Sequence, residues 1–129
     1  MSAENPFGPR PDTFEGAVDA LLGIAALRAQ IHKAFDGETG PESLAGLSHH
    51  TLGRALRNAW RLHFPESAAL KADTWANLKP ERQAKIREHY ARVAPDAPPH
   101  EGANMHGDDV SGAILGEVFA RAWREWESK

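Results

Sequence analysis

The sequence predicts an all-α fold, a compact bundle of three to four main helices joined by short helical turns. Apolar residues recur at spacings of three and four along most of the 129-residue chain, and no segment alternates for long enough to form a strand. The hydrophobic fraction of 41% includes four Trp and five Phe, which is enough bulky material for one core. The length suits a single domain over residues 1–129, with an N-terminal arm at 1–11.

The first predicted helix covers residues 12–37. Asp12 or Thr13 is the expected N-cap, because Asp12 and Glu15 stand at the spacing of a capping box. Gly37 is a natural stop, since glycine readily adopts the backbone conformation that ends a helix. The apolar stripe between these ends is wide enough for a helix that lies largely in the core.

The second main helix is predicted from Ser48 to about Phe64, after a single helical turn at 41–45. Serine is a good N-cap, and Pro65 restricts the residue before it to extended backbone. Because the apolar positions of this helix repeat at three and four, its basic side chains are predicted to face outward. These are Arg54, Arg57 and Arg61.

Shorter elements are predicted before the third main helix. Helical turns are expected at 67–71 and 74–78, with Asp73 as the cap between them and Trp75 pointing inward. Proline is favoured at the first position of a helix, so Pro80 predicts a helix over 80–93. Its predicted inward side chains are Gln83, Ile86, Tyr90 and Val93, and its outward ones include Arg82 and Lys85.

A linker over residues 95–108 separates the last helix from the rest, because this stretch is rich in Pro, Gly and polar residues. We expect it to cross the surface as an extended loop. Asp108 or Asp109 is the expected N-cap of the C-terminal helix, which is predicted over 109–127. The apolar stripe of this helix is the densest in the chain and requires burial.

Charge is distributed unevenly along the chain, although the formal net charge is only -3. Residues 49–94 carry nine basic and four acidic side chains, a net of +5, whereas the segments before and after them each carry a net of -4. A basic middle between acidic flanks indicates either an anion-binding face or complementary packing between the segments.

Two family resemblances fall in this basic middle. LGRALRNAW, followed by TWANLKPERQAKIREHYARV, resembles small helical proteins of phages and mobile elements that are distantly similar to the repeats of ryanodine receptors. That resemblance rests on Trp75, Leu78 and Arg82, covers about a third of the chain, and implies a binding role. LSHHTLGRAL is similar to a signature of the FinO/ProQ RNA chaperones, from which it departs at Gly53, where that family has a basic residue.

The leading functional prediction is a non-enzymatic cytoplasmic protein that binds a macromolecular partner stoichiometrically, as phage-encoded inhibitors of host defence and small adaptors do. Aromatic stripes in excess of what one core needs favour a protein partner, with a homo-oligomer as an alternative. We expect the interface at Trp123 and Trp126, near the chain end. No membrane is expected, since the longest apolar run covers only residues 20–27 and the first fourteen residues do not resemble a signal peptide.

The alternative prediction is a nucleic-acid-binding regulator that uses the basic segment 49–94. Residues 46–61 resemble a turn followed by the recognition helix of a helix-turn-helix. The candidate contacts to bases, phosphates or other anions are His49, His50, Arg54, Arg57, Arg61, Arg82 and Lys85. A helix-turn-helix needs a full preceding helix, however, and only a single turn is predicted at 41–45.

Catalytic and metal sites are not expected. The absence of cysteine excludes thiolate ligands and cysteine nucleophiles, and the sequence contains no phosphate-binding loop or nucleophile elbow. No two of the seven histidines have the spacing of metal ligands on one helix. His100 and His106 could join Asp108 and Asp109 only if the linker folds into a site. We therefore predict no catalytic residue, no metal and no cofactor.

Overall fold

A computed structural model describes residues 6–128, and these residues form seven helices and no strand, which confirms the all-α fold. The helices are α1 (Phe14–Leu22), α2 (Ala25–Asp36), α3 (Pro41–Ser48), α4 (Leu52–Ala59), α5 (Ala68–Asn77), α6 (Pro80–Val93) and α7 (Gly107–Glu127). Single 3-10 turns lie at Pro65–Ser67 and Gly102–Asn104. The prediction of three to four main helices describes this arrangement more coarsely than the seven helices do. The first five residues of the predicted N-terminal arm lie outside the described residues.

The C-terminal helix α7 lies at the centre of the fold and packs against α1, α2, α3, α4 and α5. Its wide apolar stripe is buried because these neighbours surround it. The buried side chains are Val110, Ser111, Ala113, Ile114, Leu115, Val118, Phe119 and Ala122. Each large aliphatic or aromatic one contributes roughly 1.5–3 kcal/mol to folding, so α7 carries much of the stability. No helix within residues 6–128 is long and apolar enough to cross a membrane.

The predicted single helix over 12–37 is wrong, because the chain breaks into α1 and α2 at Gly23 and Ile24. Thr13, not Asp12, caps α1, and its hydroxyl accepts a hydrogen bond of 3.0 Å from the amide three residues later. Gly23 closes the last turn of α1, and Ile24 has an extended backbone with ψ of 103°. The break allows both helices to pack against α7.

The segment before α4 also differs from the prediction. The expected single turn at 41–45 is the eight-residue helix α3, which has Pro41 at its first position, where proline is favoured. Ser48 is buried at the end of α3 and does not cap the next helix. Thr51 stands at the N-cap of α4 instead, so a three-residue turn separates two helices.

The second main helix ends at Ala59, well before the predicted Phe64. Arg61 adopts a left-handed backbone with φ of +52°, and the next amide, that of Leu62, donates to the Arg57 carbonyl at 3.0 Å. This pattern closes the C-terminus of a helix and turns the chain away from its axis. The end of α4 is therefore set by its own capping turn rather than by Pro65.

The N-terminal arm packs on the turn that follows α4. Phe7 is buried edge-on against Trp60, with ring centroids 6.2 Å apart, and the Trp60 indole N–H donates to the Gly8 carbonyl at 3.0 Å. Arg10 donates to the backbone carbonyls of Trp60 and Glu66, at 3.1 and 2.8 Å. These contacts hold the turn at residues 60–66 from the outside.

One helix, α5, replaces the two turns predicted at 67–71 and 74–78. Asp73 lies within α5 and caps a different helix. Its Oδ2 accepts a hydrogen bond of 2.6 Å from the backbone N–H of Phe14, the first residue of α1. Trp75 is buried, as predicted.

The helix predicted over 80–93 is confirmed, with Pro80 at its first position. Ile86 is buried, whereas Val93, which was predicted to face inward, is 56% exposed because the last turn of α6 lies at the edge of the fold. The linker after α6 does not simply cross the surface as an extended loop. Its turn at Gly102–Asn104 packs against α5, and the apolar side chain of Met105 is buried.

The burial of α7 can be tested with a matched pair of valines. Val118→Ala should lower the free energy of unfolding by about 2 kcal/mol, because it removes two fully buried methyl groups and leaves a cavity. Val93→Ala, at an exposed position, should change it by less than about 0.5 kcal/mol. Urea denaturation measures both values, and equal effects of the two substitutions would contradict the central position of α7.

Candidate functional site

His63 lies on the turn after α4, where its neighbours fix the backbone. Leu62 is fully buried, and Arg10 holds the carbonyls of Trp60 and Glu66 on either side. The side chain of His63 is 41% exposed and extends toward the N-terminus of α7. The backbone of His63 is thus anchored on both sides, and its imidazole is accessible.

The imidazole of His63 rests on Gly107, the first residue of α7. A Cβ atom at position 107 would stand 2.5 Å from Nδ1 and 2.7 Å from Cε1 of His63. Non-bonded heavy atoms do not approach so closely, so His63 keeps this position only because residue 107 is glycine. The contact joins the turn after α4 to the start of α7.

His106 caps α7, and the prediction of Asp108 or Asp109 in this role is wrong. Its backbone is extended, with ψ of 137°, and its Nδ1 accepts a hydrogen bond of 3.1 Å from the backbone N–H of Asp108. The two aspartates occupy the first turn of α7, where negative charge is favourable beside the unpaired amides. The cap fixes the orientation of the His106 ring.

Asp108 is held in place by Arg57, whose Nε lies 3.2 Å from Oδ1. Arg57 is only 8% exposed, and it also donates to the Ser111 hydroxyl at 2.9 Å and to the His49 carbonyl at 3.2 Å. A buried guanidinium requires such partners. The predicted outward position of Arg57 is therefore wrong, and its side chain is already engaged within the protein.

His63, His106 and Asp108 converge at the N-terminus of α7, and we call these three residues the histidine cluster. One potential ligand atom from each lies within 4.8 Å of the other two. Nε2 of His63 is 3.7 Å from Oδ1 of Asp108, and Nδ1 of His106 is 3.9 Å from Oδ2. Bonds of about 2.0–2.2 Å place ligand atoms around zinc about 3.4 Å apart, so side-chain rotations would complete a metal site. Because the lone pair of His106 Nδ1 accepts the Asp108 amide, His106 would bind the ion through Nε2, or through Nδ1 with loss of that cap.

The protonation of His106 suits a metal ligand. Burial lowers the pKa of His106, and this effect outweighs the carboxylates of Asp108 and Asp109, which raise it. The rings of His63 and His100 lower the pKa further. A lowered pKa favours neutral imidazole, the form that binds a metal ion.

His100, from the linker, adds a third imidazole beside the histidine cluster. Its ring centroid is 5.5 Å from that of His106 and 4.4 Å from that of Tyr90. The Tyr90 hydroxyl donates to Oδ2 of Asp109 at 2.9 Å, which ties α6 to α7. Burial raises the pKa of Tyr90, and the bond to Asp109 acts in the same direction, so the phenol stays protonated.

The histidine cluster borders a cleft of about 290 Å³ between the turn after α4, helix α5 and the linker. Its polar lining consists of His63, Lys71, His100, Asn104 and His106. Lys71 comes from α5 and is 7% exposed. Burial lowers the pKa of the Lys71 ammonium from its usual value.

The residues predicted to contact nucleic acid do not share one environment. Besides the buried Arg57, His49 is half-buried. Arg61 forms an ion pair with Glu66 and lies 4.1 Å from the ring centre of Phe64. The exposed members of the predicted set are His50, Arg54, Arg61, Arg82 and Lys85.

The two tryptophans predicted at an interface lie half-buried against the end of α2. Phe35 contacts both, with ring centroids 5.0 Å from Trp123 and 5.8 Å from Trp126. The Trp126 indole N–H donates to Oδ1 of Asp36 at 2.8 Å. Their role in binding a partner stays a prediction.

The sequence indicated only part of the histidine cluster. His106 and Asp108 stand two residues apart, and the sequence predicts that they combine only if the linker folds into a site. The linker packs against α5, and both residues lie close to His63. His63 was missed because the helix predicted from Ser48 to about Phe64 includes it. In the structure this helix ends at Ala59, and His63 lies on the turn that follows. A better estimate of the turn at Arg61 would have separated His63 from the helix.

No protein-family model matches the sequence, and no curated protein or solved structure matches it significantly. The resemblances to ryanodine-receptor repeats and to FinO/ProQ chaperones therefore stay predictions.

The contact between Gly107 and His63 predicts the effect of an added methyl group. Gly107→Ala should displace the His63 ring, because the new Cβ would overlap it, and should shift the imidazole NMR signals of His63. Gly112→Ala, in the same helix with nothing within 4 Å of its Cβ, should leave those signals in place and stabilise the protein by up to about 1 kcal/mol. Unchanged His63 signals in Gly107→Ala would refute the contact.

Proposed function

We propose that this protein binds one divalent transition-metal ion through His63, His106 and Asp108. The observation that carries the proposal is the convergence of three ligand atoms within 4.8 Å of one another. The contact with Gly107 and the ion pair with Arg57 position two of the ligands through the fold itself. The proposal departs from the expectation of no metal that we drew from the sequence.

The ligand types favour an ion of the zinc group. Two imidazoles and one carboxylate suit Zn²⁺, Co²⁺, Ni²⁺ or Fe²⁺, whereas Mg²⁺ and Ca²⁺ prefer oxygen ligands alone. Three protein ligands leave at least one coordination position for water or another ligand. The side chains of the histidine cluster are 34–45% exposed, so an ion can reach them from solvent.

Metal binding would join two segments that are distant in the chain, the turn after α4 and the first turn of α7. This link lies at the start of the helix on which five others pack. An ion that binds the folded chain more tightly than the unfolded chain stabilises the fold by mass action. The metal would therefore support the fold as well as provide a binding site.

We propose that the loaded protein acts by binding a macromolecular partner and not by catalysis. Large apolar side chains that remain exposed support this role: Leu47 at the end of α3, Phe64 on the turn after α4, and Val93 at the end of α6. Phe64 directly follows the proposed ligand His63.

Nucleic-acid binding is the second candidate function, and one observation favours it. Helices α3 and α4 are joined by a three-residue turn, so the full preceding helix that a helix-turn-helix requires is present. His50 and Arg54 are exposed on the turn and at the start of α4. Arg57 and Arg61 already have acidic partners, which leaves fewer cations for phosphates than the sequence indicated.

The metal site predicts one bound Zn²⁺ per chain by isothermal titration calorimetry. His63→Gln and His106→Asn should each weaken zinc binding by about tenfold or more, because each removes an imidazole ligand. Asparagine is a good N-cap, so His106→Asn separates the loss of the ligand from the loss of the helix cap. His89→Gln, at an exposed position on α6, should bind zinc like the wild type. Equal zinc affinity of all four proteins would place the ion elsewhere.

The nucleic-acid candidate predicts affinity that falls steeply with salt. Arg54→Ala combined with Arg82→Ala should weaken binding to mixed DNA and RNA and reduce the salt slope by about one per lost phosphate contact. Lys33→Ala combined with Arg124→Ala, outside the basic segment, should have little effect. Mobility shifts in about 50 mM salt measure both, and no binding by the wild-type protein there would eliminate this candidate.

A further inference from the structure

Lys71 has no counter-ion in the described part of the chain, its side chain is largely buried, and its ammonium reaches solvent only at the cleft. Its side chain lines the cleft beside the histidine cluster and is 7% exposed. It makes no hydrogen bond or ion pair with any residue from 6 to 128. Lysine is rarely buried without a partner, because its charge loses the water that solvates it. A site for an anion at this position would account for the arrangement.

The other groups that line the cleft also favour an anion. The described lining includes the imidazoles of His63, His100 and His106 and the amide of Asn104, all of which can donate hydrogen bonds. The carboxylate of Asp108 stands next to this lining in the histidine cluster, and its charge is paired with Arg57. A metal ion at the histidine cluster would add positive charge at one end of the cleft and an open coordination position. The donors come from α5, the linker and the turn after α4, so they approach a ligand from several directions.

We infer that this cleft binds the phosphate group of a small ligand between the Lys71 ammonium and the metal ion, which makes the inference dependent on the proposed metal function. A tetrahedral phosphate offers several oxygens to donors that converge from different sides, whereas a carboxylate offers two in one plane. One oxygen would occupy the open position on the metal, and another would accept hydrogen bonds from Lys71. His100 and Asn104 stand at the linker side of the cleft, where they can contact the remaining oxygens.

The size of the cleft limits the ligand. About 290 Å³ is at the lower end of the volumes of small-molecule sites, so a phosphate with a small organic substituent fits better than a nucleotide or a polymer. The site is distinct from the exposed basic side chains of α4 and α6. Substitutions there should not affect phosphate binding.

The test compares inorganic phosphate binding by zinc-loaded wild-type protein, freed of excess metal, with that of two lysine variants. Lys71→Met keeps the length of the side chain and removes its charge, and it should weaken phosphate binding by about tenfold or more while zinc affinity stays unchanged. Lys85→Met, an exposed position on α6, should bind phosphate like the wild type. Isothermal titration calorimetry measures both ligands.

The outcomes separate the two proposals. Equal phosphate affinity of the wild type and Lys71→Met would overturn the phosphate site while the zinc titration still supports the metal site. Acetate binding as tight as phosphate binding would overturn the assignment to phosphate. If the wild type binds no zinc, the metal function fails, and a lack of phosphate binding by the metal-free protein then overturns the anion site as well. Phosphate binding by metal-free protein that Lys71→Met abolishes would support the cleft independently.

Discussion

Burial of α7 on several sides at once is the constraint on which the rest of the structure depends. A helix with so wide an apolar stripe cannot be covered by a single neighbour, and five helices that precede it in the chain pack around it. The linker must therefore return the N-terminus of α7 to the other helices, and the buried Met105 anchors that return. The histidine cluster forms where the linker meets the turn after α4.

A buried charge in the core holds the carboxylate of Asp108 in place at the site. Arg57 is buried beside α7, and a guanidinium that leaves water needs acceptors with good geometry. Asp108 and Ser111 provide them from the first turns of α7. Asp108 is therefore held in place whether or not a metal ion is bound, and a ligand set arranged in advance loses less conformational freedom on binding.

Local patterns predicted the elements that local chemistry determines. The helical class, the start of α6 at Pro80 and the burial of Trp75 follow from periodicity and from the backbone preferences of proline. Two of the errors involve contacts between distant segments. Asp73 caps α1 from α5, and Arg57 lies on the face that the repeat pattern assigned to solvent, because Asp108 reaches it from the other end of the chain. The spacing of residues along the chain predicts neither the Asp73 cap nor the Arg57–Asp108 ion pair.

The candidate site shows the same contrast between local patterns and contacts of distant segments. The sequence placed His106 beside Asp108, since they are close in the chain, but it gave no reason to bring His63 to them. That approach requires the left-handed turn at Arg61 and the absence of a side chain at Gly107. A site built from two distant segments depends on the packing of α7 and not on a motif.

Anomalous diffraction at the zinc absorption edge, from crystals of the full chain grown with one equivalent of zinc, tests the metal site most directly. The expected result is one strong peak about 2.0–2.2 Å from an imidazole nitrogen of His63, an imidazole nitrogen of His106 and a carboxylate oxygen of Asp108. A principal peak at the adjacent residues His49 and His50, or none near the start of α7, would contradict the site.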